Sequence, residues 1–346
     1  MHIFCTFAPM NRIIWIDWAK CLAVTTVVFC HLPQAEEAIY FRYLQACIIT
    51  IFFFLSGYLK RDRGLMSENW RKYFWGLIMP YVVYNLLMLP YWVVRYYLQQ
   101  GGWPDMTALS RPLMGALLLE HSSNFAEPLN GTLWYLPAIL IMHVITDLCR
   151  RMHHEHLLMA GLCVMSVAGY FLYRYYEPHP TMVFMGILQR LPYFYLGYVF
   201  GQLRLLRDDT HRPLSNLMLC VSCFGASVLL FYWHVAVWPE LFLHLTIFYP
   251  VNVFFVFGVV YGCRLLQGCT MPQWVVNVSV GTLVIIGFQW MVIGTTNFVI
   301  ALLAGVKGDI VYTWYEALVL ALFITAFHYP VILLAKRYAP VLLGRK

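Results

Sequence analysis

The amino-acid sequence predicts an all-α fold, a polytopic membrane helix bundle of about ten transmembrane helices with both termini cytoplasmic. Three observations carry that expectation. The first is composition. Of 346 residues, 61% are hydrophobic and only 11% are charged, whereas the water-facing surface of a soluble domain calls for about 25% charged residues. The second is the succession of apolar runs from Ile13 to Leu334, each long enough to cross a hydrocarbon layer of ~30 Å. No long polar stretch interrupts them, so residues 1–346 read as a single integral-membrane domain. The third is charge bias. Of the 23 Lys and Arg residues, sixteen fall on one side of the alternating loops and five on the other, and loops rich in positive charge stay in the cytoplasm. The same scatter among short loops excludes a nucleic-acid-binding stripe, despite a net charge of +7.

The spans are expected at about 13–33, 43–60, 72–98, 129–148, 157–174, 182–203, 214–236, 241–263, 275–304 and 311–335. The first does not resemble a cleaved signal peptide, because Asp17 and Lys20 interrupt it and no small-residue cleavage site follows. The stretch from Met106 to Glu120 is apolar but short and contains Pro112, which fits an interfacial or re-entrant helix. Gly281, Gly287 and Gly294 punctuate the ninth span, so a tilt or a break is expected there. Most of the ten cysteines lie inside apolar runs, where the thiol acts as a small hydrophobe. Neither Cys220-x-x-Cys223 nor the His153-His154-x-His156 cluster has the partners of a metal site, and no metal is expected.

Ionisable groups inside a bilayer cost several kcal/mol unless they face the bundle interior and find partners, so each is a candidate functional residue. The first span holds Asp17, Lys20 and His31. Lys20 and His31 are eleven residues apart, about three helical turns or ~16 Å, and so share one face. Asp17 precedes Lys20 by one turn and is the expected counter-ion. Lys20 alternatively snorkels and His31 caps the helix. Arg190 lies within the sixth span just before Pro192, either as a binding group or paired with an acid such as Glu316.

At this point the residues resemble a known family. Arg12-Ile-Ile-Trp-Ile-Asp17-Trp-Ala-Lys20, then ten residues and His31, is similar to the opening of the acyltransferase family 3 membrane proteins. Their signature is a basic residue, ten residues and a histidine in the first transmembrane helix. The resemblance continues in order through Phe52-Phe53-Phe54-Leu55-Ser56-Gly57-Tyr58-Leu59, Arg71-Lys72 leading to Ile78-Met79-Pro80-Tyr81, Leu133-Trp134-Tyr135-Leu136-Pro137 and Arg190-Leu-Pro-Tyr-Phe-Tyr-Leu-Gly197-Tyr. The short chain looks like the stand-alone branch similar to fucose 4-O-acetylase-like proteins. Two departures stand out: further arginines usual before the proline at Pro80 are missing, and Gln289 stands where a late-helix histidine is common.

The resemblance implies transfer of an acyl group, usually acetyl, from cytoplasmic acyl-CoA to a hydroxyl of a lipid-linked or cell-surface sugar, in the inner membrane of a bacterium. A sugar hydroxyl needs a base tuned near neutral pH, which points to His31, with an acyl-histidine relay as the alternative. Lys20, Arg71 and Lys72 suit the phosphates of coenzyme A; for Arg71 and Lys72 the other role is to set topology. Glu36 and Glu37 either orient the imidazole or simply meet water. Ser56-Gly57 suits close helix approach, and Trp134 either anchors the membrane interface or stacks on sugar. A transporter or flippase is the competing class, but no inverted repeat accompanies the intramembrane charges.

Overall fold

The computed structural model describes residues 12–35, 38–60, 66–120, 122–175, 182–207, 212–237, 241–305 and 310–346. Glu36, Glu37, Arg61, Arg63 and Lys307 lie outside the described residues. All regular structure among those described is helical. In chain order it comprises α1 (Ile14–His31), α2 (Ile39–Tyr58), α3 (Met66–Tyr73), α4 (Met79–Gln100), α5 (Met106–Leu117), α6 (Tyr135–Cys149) and α7 (Glu155–Tyr175). There follow α8 (Met182–Gln202), α9 (Pro213–Val237), α10 (Leu241–Leu265), α11 (Gln273–Val280), α12 (Thr282–Ala304) and α13 (Trp314–Tyr338).

Eight helices among the described residues are long and apolar enough to cross a membrane, and the protein is an integral membrane protein. Two of the expected spans stand apart from these eight for identifiable reasons. The first is α6, only 15 residues long, because residues 129–134 form turns before the helix begins. The second is α8, which has the length but carries Gln189, Arg190 and four tyrosines or prolines between Pro192 and Tyr198 that dilute its hydropathy. Met106–Leu117 forms a short helix, and the segment after it turns into the bundle. Asn130 Nδ2 donates to the carbonyl of Gly287 at 2.8 Å and Thr132 Oγ1 to that of Ile286 at 2.8 Å. The ninth span does break, at Gly281, which separates α11 from α12.

Among the eight membrane-length helices the most enclosed is α1, which packs against α2, α10, α11 and α13. Its buried stripe, including Trp15, Ala19, Ala23, Val24 and Val28, mixes small and β-branched residues that allow close approach. By contrast α9 packs chiefly on α10 and leaves most of its surface to lipid. Contact between α2 and α8 depends on reciprocal glycines. A Cβ on Gly57 would stand 1.9 Å from the carbonyl oxygen of Phe194, and one on Gly197 would stand 2.0 Å from that of Phe54. Ser56-Gly57 therefore does permit close helix packing. Between α3 and α4 the helix widens into a π-turn over Phe74–Ile78. Pro80 follows one turn after Gly76 and has no N–H to offer its carbonyl, a common cause of such widening.

The bundle has two chemically different ends. At one, Trp15 Nε1 donates to the carbonyl of Leu206 at 3.1 Å and the Tyr58 hydroxyl to that of Leu205 at 2.9 Å. These bonds tie the start of α1 and the end of α2 to the connection after α8. At the other, the Tyr312 amide donates to Pro33 O at 2.8 Å and joins the end of α1 to the start of α13.

Candidate active site

On α1 the three ionisable residues separate. Asp17 accepts a hydrogen bond from Ser279 Oγ at 2.5 Å and faces Arg12 Nη1 at 3.7 Å. Its closest polar contacts are therefore α11 and Arg12, and its charge also acts on Lys20 one turn further along α1. The Lys20 side chain itself lines an interior cavity. At the far end of α1, His31 Nδ1 lies 2.7 Å from the carbonyl of Val27. A carbonyl can only accept, so Nδ1 carries the proton and Nε2 of the neutral ring presents a lone pair. The edge of the imidazole meets Trp290, ring centroids 5.5 Å apart.

The cavity beside Lys20 has a volume of about 200 Å³ and is bounded by Phe52, Leu55, Ser56, Lys60, Lys72, Tyr135 and His143, among others. A neighbouring cavity of about 280 Å³ shares Ser56, Lys60, Lys72, Tyr135 and His143, and reaches Gly76 and Gly344. Lys60 lines both cavities while its Nζ turns to protein partners, 2.6 Å from Asp147 Oδ1 and 2.9 Å from the Tyr73 hydroxyl. Tyr73 in turn donates to Asp147 Oδ2 at 2.7 Å, and Asn69 Nδ2 to the same oxygen at 3.3 Å. The ion pair is nearly sealed, with side-chain exposures of 3% and 7%. Each charge is offset by its partner and by additional hydrogen bonds, the condition under which a buried pair persists. His143 stacks on Tyr73, with ring centroids 5.2 Å apart, and its Nε2 lies 3.1 Å from Ser56 Oγ.

Of the basic residues expected at the donor end, the structure thus brings Lys20 and Lys72 to one cavity. Arg71 is exposed on α3 and does not line it. His143, Lys60 and Asp147 are absent from the sequence-level candidates, although His143 and Asp147 stand one turn apart within an apolar run, the signal that marked Lys20. Lys60 read as a loop charge because it follows α2 directly.

Arg190 and Trp134 meet on the other side of α2. The Arg190 guanidinium lies 5.5 Å from the Trp134 ring and 6.0 Å from that of Phe53, and it donates to Gln189 Oε1. Among the described residues no carboxylate pairs with it. Glu316, the acid suggested by sequence, instead closes a capping box with Thr313 at the exposed start of α13. The Trp134 ring fills the space over Gly186, where a Cβ would come within 2.1 Å of it, and stacks on Phe53.

The family model described as an acyltransferase domain, that of acyltransferase family 3, matches residues 13–335. The chain belongs to acyltransferase family 3. No curated protein and no solved structure matches it. As a member of acyltransferase family 3 the protein is an acyltransferase of the membrane. Gln289, where relatives often carry histidine, is fully buried with neither amide atom bonded to protein. A buried histidine does occur late in the chain, on α13: His328 donates from Nδ1 to the carbonyl of Ile324 at 2.7 Å and leaves Nε2 unpartnered. Among the described residues no group of three His, Cys, Asp or Glu side chains could hold a metal ion.

Proposed function

We propose that this acyltransferase transfers an acyl group, acetyl in the simplest case, from cytoplasmic acyl-CoA to a hydroxyl of a lipid-linked or cell-surface sugar. His31 is the general base, and the bundle sits in the inner membrane of a bacterium. The observation that carries this reading is the spacing on α1. Lys20 opens on a cation-lined cavity, and His31 lies eleven residues further along one straight helix, ~16 Å away at 1.5 Å per residue. The pantetheine arm of coenzyme A has about thirteen bonds between its phosphate and its sulfur. At the ~1.2 Å advance per bond of an extended chain, it also spans ~16 Å. Phosphates held at Lys20 and Lys72 put the thioester at His31.

There the chemistry follows from the tautomer. The Nε2 lone pair accepts the proton of the sugar hydroxyl as its oxygen attacks the thioester carbonyl. A C–O bond forms, the tetrahedral intermediate collapses, the C–S bond breaks, and the coenzyme A thiolate takes the proton back from the imidazolium. Asp17 keeps Arg12 and α11 in place at the donor end. Arg71, exposed beside Lys72, attracts the polyanion at the entrance. Trp134 and Arg190 hold the acceptor: the indole by stacking on the sugar face, the guanidinium by bonding to its oxygens or to a lipid phosphate.

The test is acyl transfer by the full chain in nanodiscs with radiolabelled acetyl-CoA and lipid-linked oligosaccharide, alongside mass spectrometry of surface glycans from cells with and without the gene. Label in the sugar, with a matching acyl mass on the glycan, is the expected result. Acyl-CoA consumption without any acylated sugar overturns the acceptor assignment, and no acyl-CoA dependence overturns the donor.

A further inference from the structure

The two histidines that bond the carbonyl one turn back, His31 and His328, both do so through Nδ1. His143 does not. Its Nδ1 faces Lys60 Nζ at 3.5 Å, and the same ammonium donates to the His143 carbonyl at 3.2 Å. An ammonium group has donors only, so Nδ1 carries the lone pair and the ring proton resides on Nε2. That N–H points at Ser56 Oγ, 3.1 Å away. With its oxygen accepting from His143, the Ser56 hydroxyl has no other hydrogen-bond partner among the described residues and its proton is available to the cavity. A linked pair, with the Ser56 hydroxyl as its free donor, therefore opens on the space that Lys20 and Lys72 also line. Neither Asp147, the acid that fixes Lys60, nor Asp17 is among the residues lining either cavity. The lining presents a hydroxyl donor and positive charge, with no carboxylate among the described residues that form it.

We propose that this cavity is a phosphate site, in which the Ser56 hydroxyl, accepting from the His143 N–H and oriented by it, donates its own proton to a phosphate oxygen of the donor beside the charges of Lys20 and Lys72. The assignment rests on the acyl-CoA reading for the identity of the ligand, but the site itself is defined by its own donors. Lys60 is a positioning residue: it fixes the tautomer of His143 and does not need to touch the ligand. A neutral O–H donor adds direction to an anion site without adding further buried charge, and hydrogen bonds to an ionised acceptor are stronger than those between neutral groups.

Equilibrium binding to the full chain in nanodiscs tests this with three probes: coenzyme A, pantetheine and inorganic pyrophosphate. His143→Phe keeps a ring to stack on Tyr73 but removes both nitrogens, and should weaken coenzyme A about ten- to a hundredfold while leaving pantetheine unchanged. His143→Gln restores an N–H near the same place and should recover most of the affinity. Ser56→Ala removes the donor itself and should lose about as much as His143→Phe. Wild-type affinity for coenzyme A in His143→Phe overturns the site and leaves the donor reading standing. If His143→Phe does not fold, a loss in His143→Gln as large as that of removing Lys20 overturns it instead. Pyrophosphate binding that depends on His143, in a protein that ignores coenzyme A, keeps the anion site and removes the donor reading. Failure of the wild type to bind either phosphate-bearing probe overturns both.

Discussion

His31 and His143 are the same side chain in two parts of one bundle, and they present opposite faces of the same chemistry. Each sits on an apolar helix of the bundle and each is set against an aromatic ring, Trp290 for His31 and Tyr73 for His143. What differs is the group opposite Nδ1. The Val27 carbonyl takes a proton from His31 and leaves Nε2 basic. The Lys60 ammonium, 3.5 Å from His143 Nδ1, has no lone pair to accept a proton there and so leaves Nε2 the donor. One neighbouring atom, acceptor or donor, decides whether the imidazole can receive a proton from a substrate or give a hydrogen bond to a neighbouring hydroxyl. Residue type alone therefore could not assign either role.

The largest expected effect follows from breaking the basic member of the pair. His31→Gln retains an amide that can bond to Val27 O and meet Trp290, but it has no basic nitrogen. General-base catalysis contributes ~10²–10⁴-fold, so acyl transfer should fall by about that factor while expression and coenzyme A affinity stay near wild type. Turnover within threefold of wild type, measured on purified protein, would remove His31 from the chemistry and leave it as a helix-end residue.

Next in size is the support behind His143. Lys60→Met leaves Asp147 buried without its cation, a change that costs about 3–5 kcal/mol in comparable sites, and thermal unfolding in detergent should drop by many degrees. Lys60→Met combined with Asp147→Asn removes both charges and should regain most of that stability. The double variant then separates fold from tautomer: with Lys60 gone, nothing holds the proton on Nε2, so coenzyme A binding should remain weakened in a protein that has recovered its stability. Full recovery of both would show that Lys60 serves only Asp147.

What the sequence made legible was whatever depends on composition and on spacing along one helix. The helical class, the break at Gly281 and the close approach at Gly57 all follow from local pattern. The hydrogen bond from Ser279 to Asp17, 262 positions away, has no local signal. Of the two readings of Arg190, a binding group or a partner of an acid such as Glu316, the second gives way to an aromatic shelf that Trp134 and Phe53 build across three helices. Lys60 and Asp147, 87 positions apart, meet only once α2 and α6 are packed, and the role of His143 depends on that meeting. Charges were read correctly as exceptional, but their partners belong to tertiary structure.

A third buried ionisable group sharpens the comparison, because no cation and no obligate acceptor fixes its state. Glu120 follows α5 in the segment that turns into the bundle, with no exposed surface. It and Leu119 adopt left-handed backbone angles, φ 62° and 59°, uncommon for residues with side chains. The Glu120 amide closes the helix end on the carbonyl of Gly115 at 2.7 Å, so the strained turn is what carries the carboxyl inward. One carboxyl oxygen accepts from the Asn130 amide at 3.2 Å and the other has no protein partner. Burial pushes the group up from its ordinary 4.5 to about 7, against the smaller opposing effects of the Asn130 amide and of Asn85, Tyr81 and Leu129. A carboxyl raised in this way binds its proton more tightly folded than unfolded. Its contribution to stability is therefore fully present below about 4.5 and is lost as pH rises to about 7. Glu120→Gln mimics the protonated form at every pH. At pH 8 the variant should be more stable than wild type by about 1–3 kcal/mol, and the gap should shrink as pH falls and close below about 4.5. Thermal unfolding of both proteins in detergent across that range measures the difference directly. Parallel curves from pH 5 to 8 would mean that Glu120 keeps its charge in the folded protein and that a partner beyond the Asn130 amide compensates it.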